Sequence, residues 1–276
     1  TYAYSLQLRS TSGSRKIKIF VQGSYANNTN VRTESDVDVA IIQEEVFTTE
    51  YRREYIPQSD ADYGFVTAAP AAKTFKDEVQ KCLKIKFGDD VERKNKSIKV
   101  HGNTYRKNAD TVPCRRYRDY RADYLKDAEN YVGGIVITPD HGSRIINYPE
   151  QHIANGRQKN TATHGYYKKF VRIMKKMRYL MEDSGVCFYN SAAKRVNSFM
   201  LESLLWNIPD TWYLEDCSKY RKVFAFYQMI NWLKARKSEF RSYKEANGIK
   251  PLCADEDAYD SICTFIDQLS AFYQYE

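Results

Sequence analysis

The sequence predicts an α+β protein in two parts, a mixed β-sheet with helices over residues 1–150 and a helical part over residues 151–276. Three observations predict it. Ahead of Pro149 the apolar residues fall in short runs and alternations of strand type, and beyond it they recur at the helical period of 3.6. With 276 residues, 42% of them hydrophobic, the chain is long enough for one large domain or two lobes. Finally, the apolar run Val37-Asp38-Val39-Ala40-Ile41-Ile42 reads as a buried strand that nevertheless carries acids.

Residues 1–9 read as the end of a helix. Lys16–Gln22 alternates and reads as a strand, and Val37–Ile42 reads as a second one. Over Thr74–Phe87 the residues Phe75, Val79, Cys82 and Leu83 keep helical spacing, and Gly88 ends that helix. Short strands follow at Ser97–Val100, at Ala109–Cys114 with Asp110 inside it, and at Gly133–Thr138. In the second part Tyr166, Phe170, Ile173, Met177 and Leu180 mark one long helix stopped by Gly185. Ser198–Ile208 is a short buried helix stopped by Pro209. Tyr220, Val223, Tyr227 and Ile230 mark another helix, and Tyr259, Ile262, Ile266, Leu269 and Phe272 the last. A cleft between two such parts is the expected place for a ligand.

The formal charge is +8, from 43 basic and 35 acidic residues, which favours an anionic partner such as a nucleotide, a nucleic acid or an acidic surface. The 23 tyrosines suit base stacking and suit ordinary half-buried packing equally. Cys82, Cys114, Cys187, Cys217, Cys253 and Cys263 form no CxxC pair, and His101, His141, His152 and His164 do not stand at zinc-ligand spacing to them. Reduced, buried thiols in a cytoplasmic protein are the expectation. No apolar run approaches the length of a membrane span. The chain opens on Thr1 rather than Met and shows no signal-peptide pattern, so residues ahead of Thr1 are expected.

The chemistry lies in FVQGSYANNTNVRTESDVDVAII. A tight Gly23-Ser24 turn precedes Asp36 and Asp38. Residues two apart on a strand point to one face, so the two carboxylates project side by side. Two such charges about 4 Å apart repel by roughly 4 kcal/mol at an effective dielectric near 20. The pair is costly unless a proton or a divalent cation sits between them. A cation held this way is what phosphoryl transfer needs. Gly23 lets backbone approach a phosphate, and Ser24 adds a hydroxyl. Asp110, on a strand adjacent to the first pair, could complete a metal cluster or could cap a turn near Pro113.

The motif Gly23-Ser24, Thr29, Ser35-Asp36-Val37-Asp38, with the distant Asp110 in NADTVPCRRYR, resembles the polymerase-β-type nucleotidyltransferase superfamily. The segments IINYPEQHIANGRQKN (145–160), YYKKFVRIMKKMR (166–178) and NSFMLESLLWNIPD (197–210) bring the resemblance to the bacterial cGAS/DncV-like nucleotidyltransferases, and within them to the CdnE branch. The resemblance implies a polymerase-β-like palm packed on a C-terminal helical bundle, bilobal with a central cleft. It implies two Mg2+ ions, replaceable by Mn2+, held by Asp36, Asp38 and Asp110, with Asp110 helping to deprotonate an attacking 3′-hydroxyl. Ser24 and its neighbouring amide would cradle phosphates, with Gly23 and Gln22 beside them. Lys175 matches a family lysine at the phosphates, although it and its neighbours Lys168, Lys169, Arg172, Lys176 and Arg178 also read as one solvated helix face. Ser198 matches a family serine near the donor phosphates and also reads as a helix N-cap.

Asn147 lies where pyrimidine-using members resemble one another, and an amide can pair with the uracil edge; it also reads as a turn residue before Pro149. The implied function is a cyclic dinucleotide synthase in bacterial anti-phage signalling. It would join two NTPs, UTP or ATP foremost, into a ring containing uridine that a downstream effector senses. A monomer is expected. No Cys/His cluster could build the zinc insertion of the animal DNA sensor, so no DNA activator is expected. The same three acids would also serve an enzyme that adds nucleotides to RNA or to a small molecule. A non-catalytic nucleotide- or RNA-binding module would be expected to have lost them.

Overall fold

A computed structural model describes residues 16–32, 35–54, 57–67, 74–219 and 222–274, with backbone alone over 216–219. The helix read over residues 1–9 and the helical position Tyr220 lie outside the described residues. The chain divides into two compact units, Thr1–Ala26 with Glu34–Pro149, and Asn27–Thr33 with Glu150–Glu276. The short segment 27–32 thus belongs with the helices although it lies between Ser24 and Asp36.

The first unit is a seven-stranded mixed sheet. Strand β1 (Ile17–Gln22) runs antiparallel to β2 (Val37–Glu50), and a one-turn helix α1 (Gly23–Asn27) follows β1 where a plain turn was expected. Helix α2 (Phe75–Phe87) is capped at its start, Thr74 Oγ1 accepting from Asp77 N and the Asp77 carboxylate accepting from Thr74 N. Strands β3 (Val91–Arg93), β4 (Ile98–Val100), β5 (Ala109–Asp119), β6 (Val132–Ile137) and β7 (Ile145–Asn147) complete the sheet. The order is β1-β2-β5-β4-β3, and β6 and β7 continue beside the far end of β5. Among the described residues, only β2 and β5 pair in parallel.

Strand alternation gives the sheet two faces. Ile17, Ile41, Ile98 and Val100 turn to one face, where Phe75, Val79, Cys82 and Leu83 of α2 cover them. Ala40, Ile42, Val112, Cys114, Ile135 and Ile137 form an apolar patch on the other. By the same parity Asp38 and Asp110 lie on this second face, beyond the patch. Strand β2 runs well past Ile42 because Glu44 is held bidentately by Arg116 of β5, at 2.6 and 2.9 Å, across an irregularity in the register between Gln43 and Phe47. Charge pairing here replaces the apolar signal that ended the sequence reading.

The second unit is helical: α3 (Pro149–Ala162), α4 (Tyr166–Glu182), α5 (Cys187–Arg195), α6 (Ser198–Trp206), α7 (Asp210–Lys219), α8 (Lys222–Ala235) and α9 (Glu256–Phe272). One continuous core built on Phe170, Met174, Leu204, Phe226, Ile230 and Phe265 joins α4 to α9. Helix α3 carries almost no apolar stripe; His152, Gly156 and Lys159 are its buried residues, so periodicity could not reveal it. Asn197, not Ser198, is the N-cap of α6, its Oδ1 accepting from Met200 N at 2.8 Å. Asn147 lies at the end of β7 rather than in a turn. The expectation of uniformly buried thiols fails at Cys187, which is exposed in the first turn of α5, while Cys253 and Cys263 are half-buried.

Candidate active site

Four strands set one row of side chains. Gln22 on β1 pairs with Asp38 on β2, Asp38 with Asp110 on β5, and Asp110 with Lys99 on β4. Register partners share a face, so all four project together. Asp36, just ahead of β2, is two residues from Asp38 and accepts a hydrogen bond from Lys99 Nζ at 2.8 Å. Ser97 Oγ donates to Asp110 Oδ1 at 3.3 Å. The acids expected to cooperate are therefore neighbours. Burial, then the charges of Asp110 and Asp36, push the Asp38 carboxyl up to about 6.

Gly23 closes one side of this row. Its φ is +66°, and a Cβ there would fall 2.2 Å from Asp38 Oδ2. Only glycine allows the backbone that close to the acid, and Ser24 follows in the first turn of α1. The donor set of clustered carboxylates beside a glycine turn suits a hard divalent cation. It is not closed into a cage: among the described residues, no three His, Cys, Asp or Glu side chains stand arranged to hold a metal ion. Asp36 is turned to Lys99 instead.

Lys175 and Ser198 lie in the helical unit. Lys175, 3% exposed, donates to the backbone oxygen of Thr29 at 3.1 Å and to Thr29 Oγ1 at 3.0 Å, with Glu202 Oε2 at 3.6 Å. Burial pushes its ammonium down, and Glu202 opposes that. Glu202, 2% exposed, also accepts from Thr29 Oγ1 and pairs with His152 Nε2, both at 3.0 Å. Burial alone would raise the Glu202 carboxyl; His152, Lys175 and Thr29 together hold it below its ordinary value. Against burial, the neighbouring side chains of Ser198 and Arg178 hold the Tyr179 hydroxyl below its ordinary value. Arg172 donates to Asn28 O at 2.7 Å, and Arg32 stacks on Tyr179 at 3.8 Å and pairs with Asp183 at 3.6 Å. Arg172, Lys175, Tyr179 and Asp183 form one helical stripe that grips segment 27–32, which joins Ser24 to Asp36.

The other α4 cations divide. Lys168 is buried, whereas Lys169, Arg172 and Lys176 line a basic groove with Lys222. Asn147 pairs with Ile135, and Ile135 with Arg116, so it shares the acids' face of the sheet. It lies six residues along β5 from Asp110, about 20 Å at the strand rise.

Sequence reading missed Lys99, Ser97, His152 and Glu202. The alternation Ile98-Lys99-Val100 does assign Lys99 to the face opposite α2, but nothing local reveals that its strand adds beside β5. Glu202 sits in an apolar helix, and a lone acid in such a setting signals a buried partner.

Residues 154–274 match the cGAS/DncV-like nucleotidyltransferase C-terminal helical domain, and residues 5–129 the nucleotidyltransferase domain. The chain is 42% identical over 276 residues to the cyclic GMP-AMP synthase CdnE03 of Staphylococcus schleiferi, covering all of this chain and 82% of that protein. It is 39% identical over 206 residues to the cyclic dipyrimidine nucleotide synthase CdnE of Cecembia lonarensis, covering 72% of this chain and 66% of that one. The solved structure of Rhodothermus marinus CdnE c-UMP-AMP synthase with Apcpp and Upnpp aligns at a TM-score of 0.77 and 27% identity, over 100% of this chain and 92% of that one. Among the described residues, no helix is long and apolar enough to cross a membrane.

Proposed function

The chain belongs to the cGAS/DncV-like nucleotidyltransferases, with relatives of CdnE type, and from that premise we propose that it is a cyclic dinucleotide synthase acting on two NTPs. The observation that carries the reading is the row Gln22–Asp38–Asp110–Lys99 with Asp36 beside it. Three clustered carboxylates are a donor set for divalent ions, which this family uses.

Asp36, Asp38 and Asp110 would hold the ions, Mg2+ or Mn2+. When bound, they lower the pKa of the attacking hydroxyl and stabilise the leaving pyrophosphate. Gly23 and Ser24 bring backbone and a hydroxyl to the triphosphate. Asp110 draws the proton from the 3′-hydroxyl, whose oxygen bonds to the α-phosphorus as the bond to pyrophosphate breaks. A second transfer in the same site closes the ring and releases the second pyrophosphate. Lys175 supports the site from the segment it helps to hold by fixing Thr29, and Ser198 neighbours Tyr179, on which Arg32 stacks.

We assign at least one uridine to the product, with Asn147 reading its edge. Two named relatives support this, the cyclic dipyrimidine and the c-UMP-AMP enzymes. A purine-only ring is the second reading, favoured by 42% identity over the whole of this chain to a cyclic GMP-AMP synthase. The product would serve as a messenger to an effector in anti-phage defence, made by a cytoplasmic monomer.

The test is incubation with all four NTPs, one α-32P-labelled at a time, with Mg2+ or Mn2+, followed by phosphatase digestion and mass spectrometry. A phosphatase-resistant cyclic product, absent from Asp36→Asn/Asp38→Asn, is expected. Label transferred only to added RNA or to a small molecule would overturn the synthase reading. A ring without uridine would overturn the role of Asn147.

A further inference from the structure

Lys99 stands among the acids in a way that the two-ion chemistry does not use. Its Nζ donates to Asp36 Oδ2 at 2.8 Å, and its Cα is the register partner of Asp110. Its strand neighbours Ile98 and Val100 are buried in the core that α2 covers, so the backbone of Lys99 is fixed and its side chain is committed to the acids' face. The result is an internal counter-ion: one ammonium bonded to Asp36, the acid that lies ahead of the strand, on a residue whose register partner is Asp110.

We propose that Lys99 is a built-in competitor for the divalent cation. It keeps Asp36 from completing the ligand set and lowers the metal affinity of the nucleotide-free enzyme, so that metal enters with the triphosphate. The physical argument is short. A divalent ion that takes Asp36 must displace the ammonium and then remain near it, and like charges a few ångströms apart oppose one another. An arriving triphosphate reverses the balance, because its oxygens give the ammonium another partner and Asp36 is released to the ion. The inference rests on reading Asp36, Asp38 and Asp110 as the metal site.

The experiment is Mn2+ titration of the nucleotide-free protein, followed by electron paramagnetic resonance of free Mn2+. Lys99→Met is expected to bind Mn2+ about tenfold more tightly than the unaltered protein, since one nearby positive charge has gone. Lys99→Arg, which keeps the charge, is expected to match the unaltered protein. Adding a non-hydrolysable NTP analogue is expected to narrow the gap. Lys99→Gln serves for the same comparison should the methionine variant fail to fold. Equal or weaker Mn2+ binding by the uncharged variants overturns the role of Lys99. Asp38→Asn added to Lys99→Met separates this from failure of the site itself: if tight binding survives it, the ion sits elsewhere and the metal-site reading falls.

Discussion

The carboxylate of Asp38 fills the space that a side chain on Gly23 would need, with Oδ2 2.2 Å from the position of a Cβ. The two residues are thus one device: the glycine turn exists where it does because the acid stands there. Gly23→Ala must push Asp38 away and also hold a φ of +66° with a Cβ. That backbone alone costs about 1–2 kcal/mol. Urea unfolding is expected to show at least this loss, and product formation is expected to fall by about a hundredfold or more, since a displacement of about 1 Å costs that much.

Asp38 and Asp110 repel each other across β2 and β5. Asp38→Asn or Asp110→Asn is therefore expected to leave the metal-free melting temperature unchanged or raised. Each is expected to lower turnover of labelled NTP by about a hundredfold or more, as removal of a charge-stabilising group does. Thermal unfolding and turnover measured on the same preparations check this. A drop in both together would mean that the acids support the fold instead.

Glu202 anchors the helical unit's hold on segment 27–32. Glu202→Ala leaves Lys175 buried without its counter-charge, and a loss of about 3–5 kcal/mol is expected in urea unfolding. Glu202→Leu combined with Lys175→Met removes both charges and is expected to recover most of that stability. Activity is not expected to return with it, because Thr29 would still lack its partners.

Asp140 supplies a dependence of stability on pH in the first unit. It accepts from Arg93 at 2.6 and 2.9 Å and from Lys76 at 2.9 Å, and these hydrogen bonds, Arg93 foremost, lower its carboxyl from the ordinary 3.8 to about 2. A carboxyl lowered in the folded state contributes stability that is present above the unfolded value and lost as pH falls through the folded one. Asp140→Asn is expected to cost about 1 kcal/mol at neutral pH, allowing for solvent screening. The gap between variant and parent is expected to close between about pH 4 and pH 2. Denaturant midpoints across that range decide it.

Local pattern made much of this legible. The alternation of Lys16–Gln22, the helical spacing of Phe75, Val79, Cys82 and Leu83, and the stripes of α4 and α9 each follow from residues close in sequence. So did Gly23, Asp36, Asp38 and Asp110, because an acid in an apolar strand and a glycine before it are visible without a fold. Helix α3 was not legible, since its buried residues are His152, Gly156 and Lys159 and leave no apolar period. The length of β2 was not, since its far half is held by the pairing of Glu44 with Arg116.

By itself the sequence determined which side chains could bear the chemistry, since residue type and spacing along one strand fix charge and face. Tertiary structure alone decided their company. Strand register set Lys99 against Asp110 and within reach of Asp36, and helix packing enclosed Lys175 with Glu202 and Thr29. Such partners are remote in the chain, and the burial that makes their charges matter exists only once the distant segments meet.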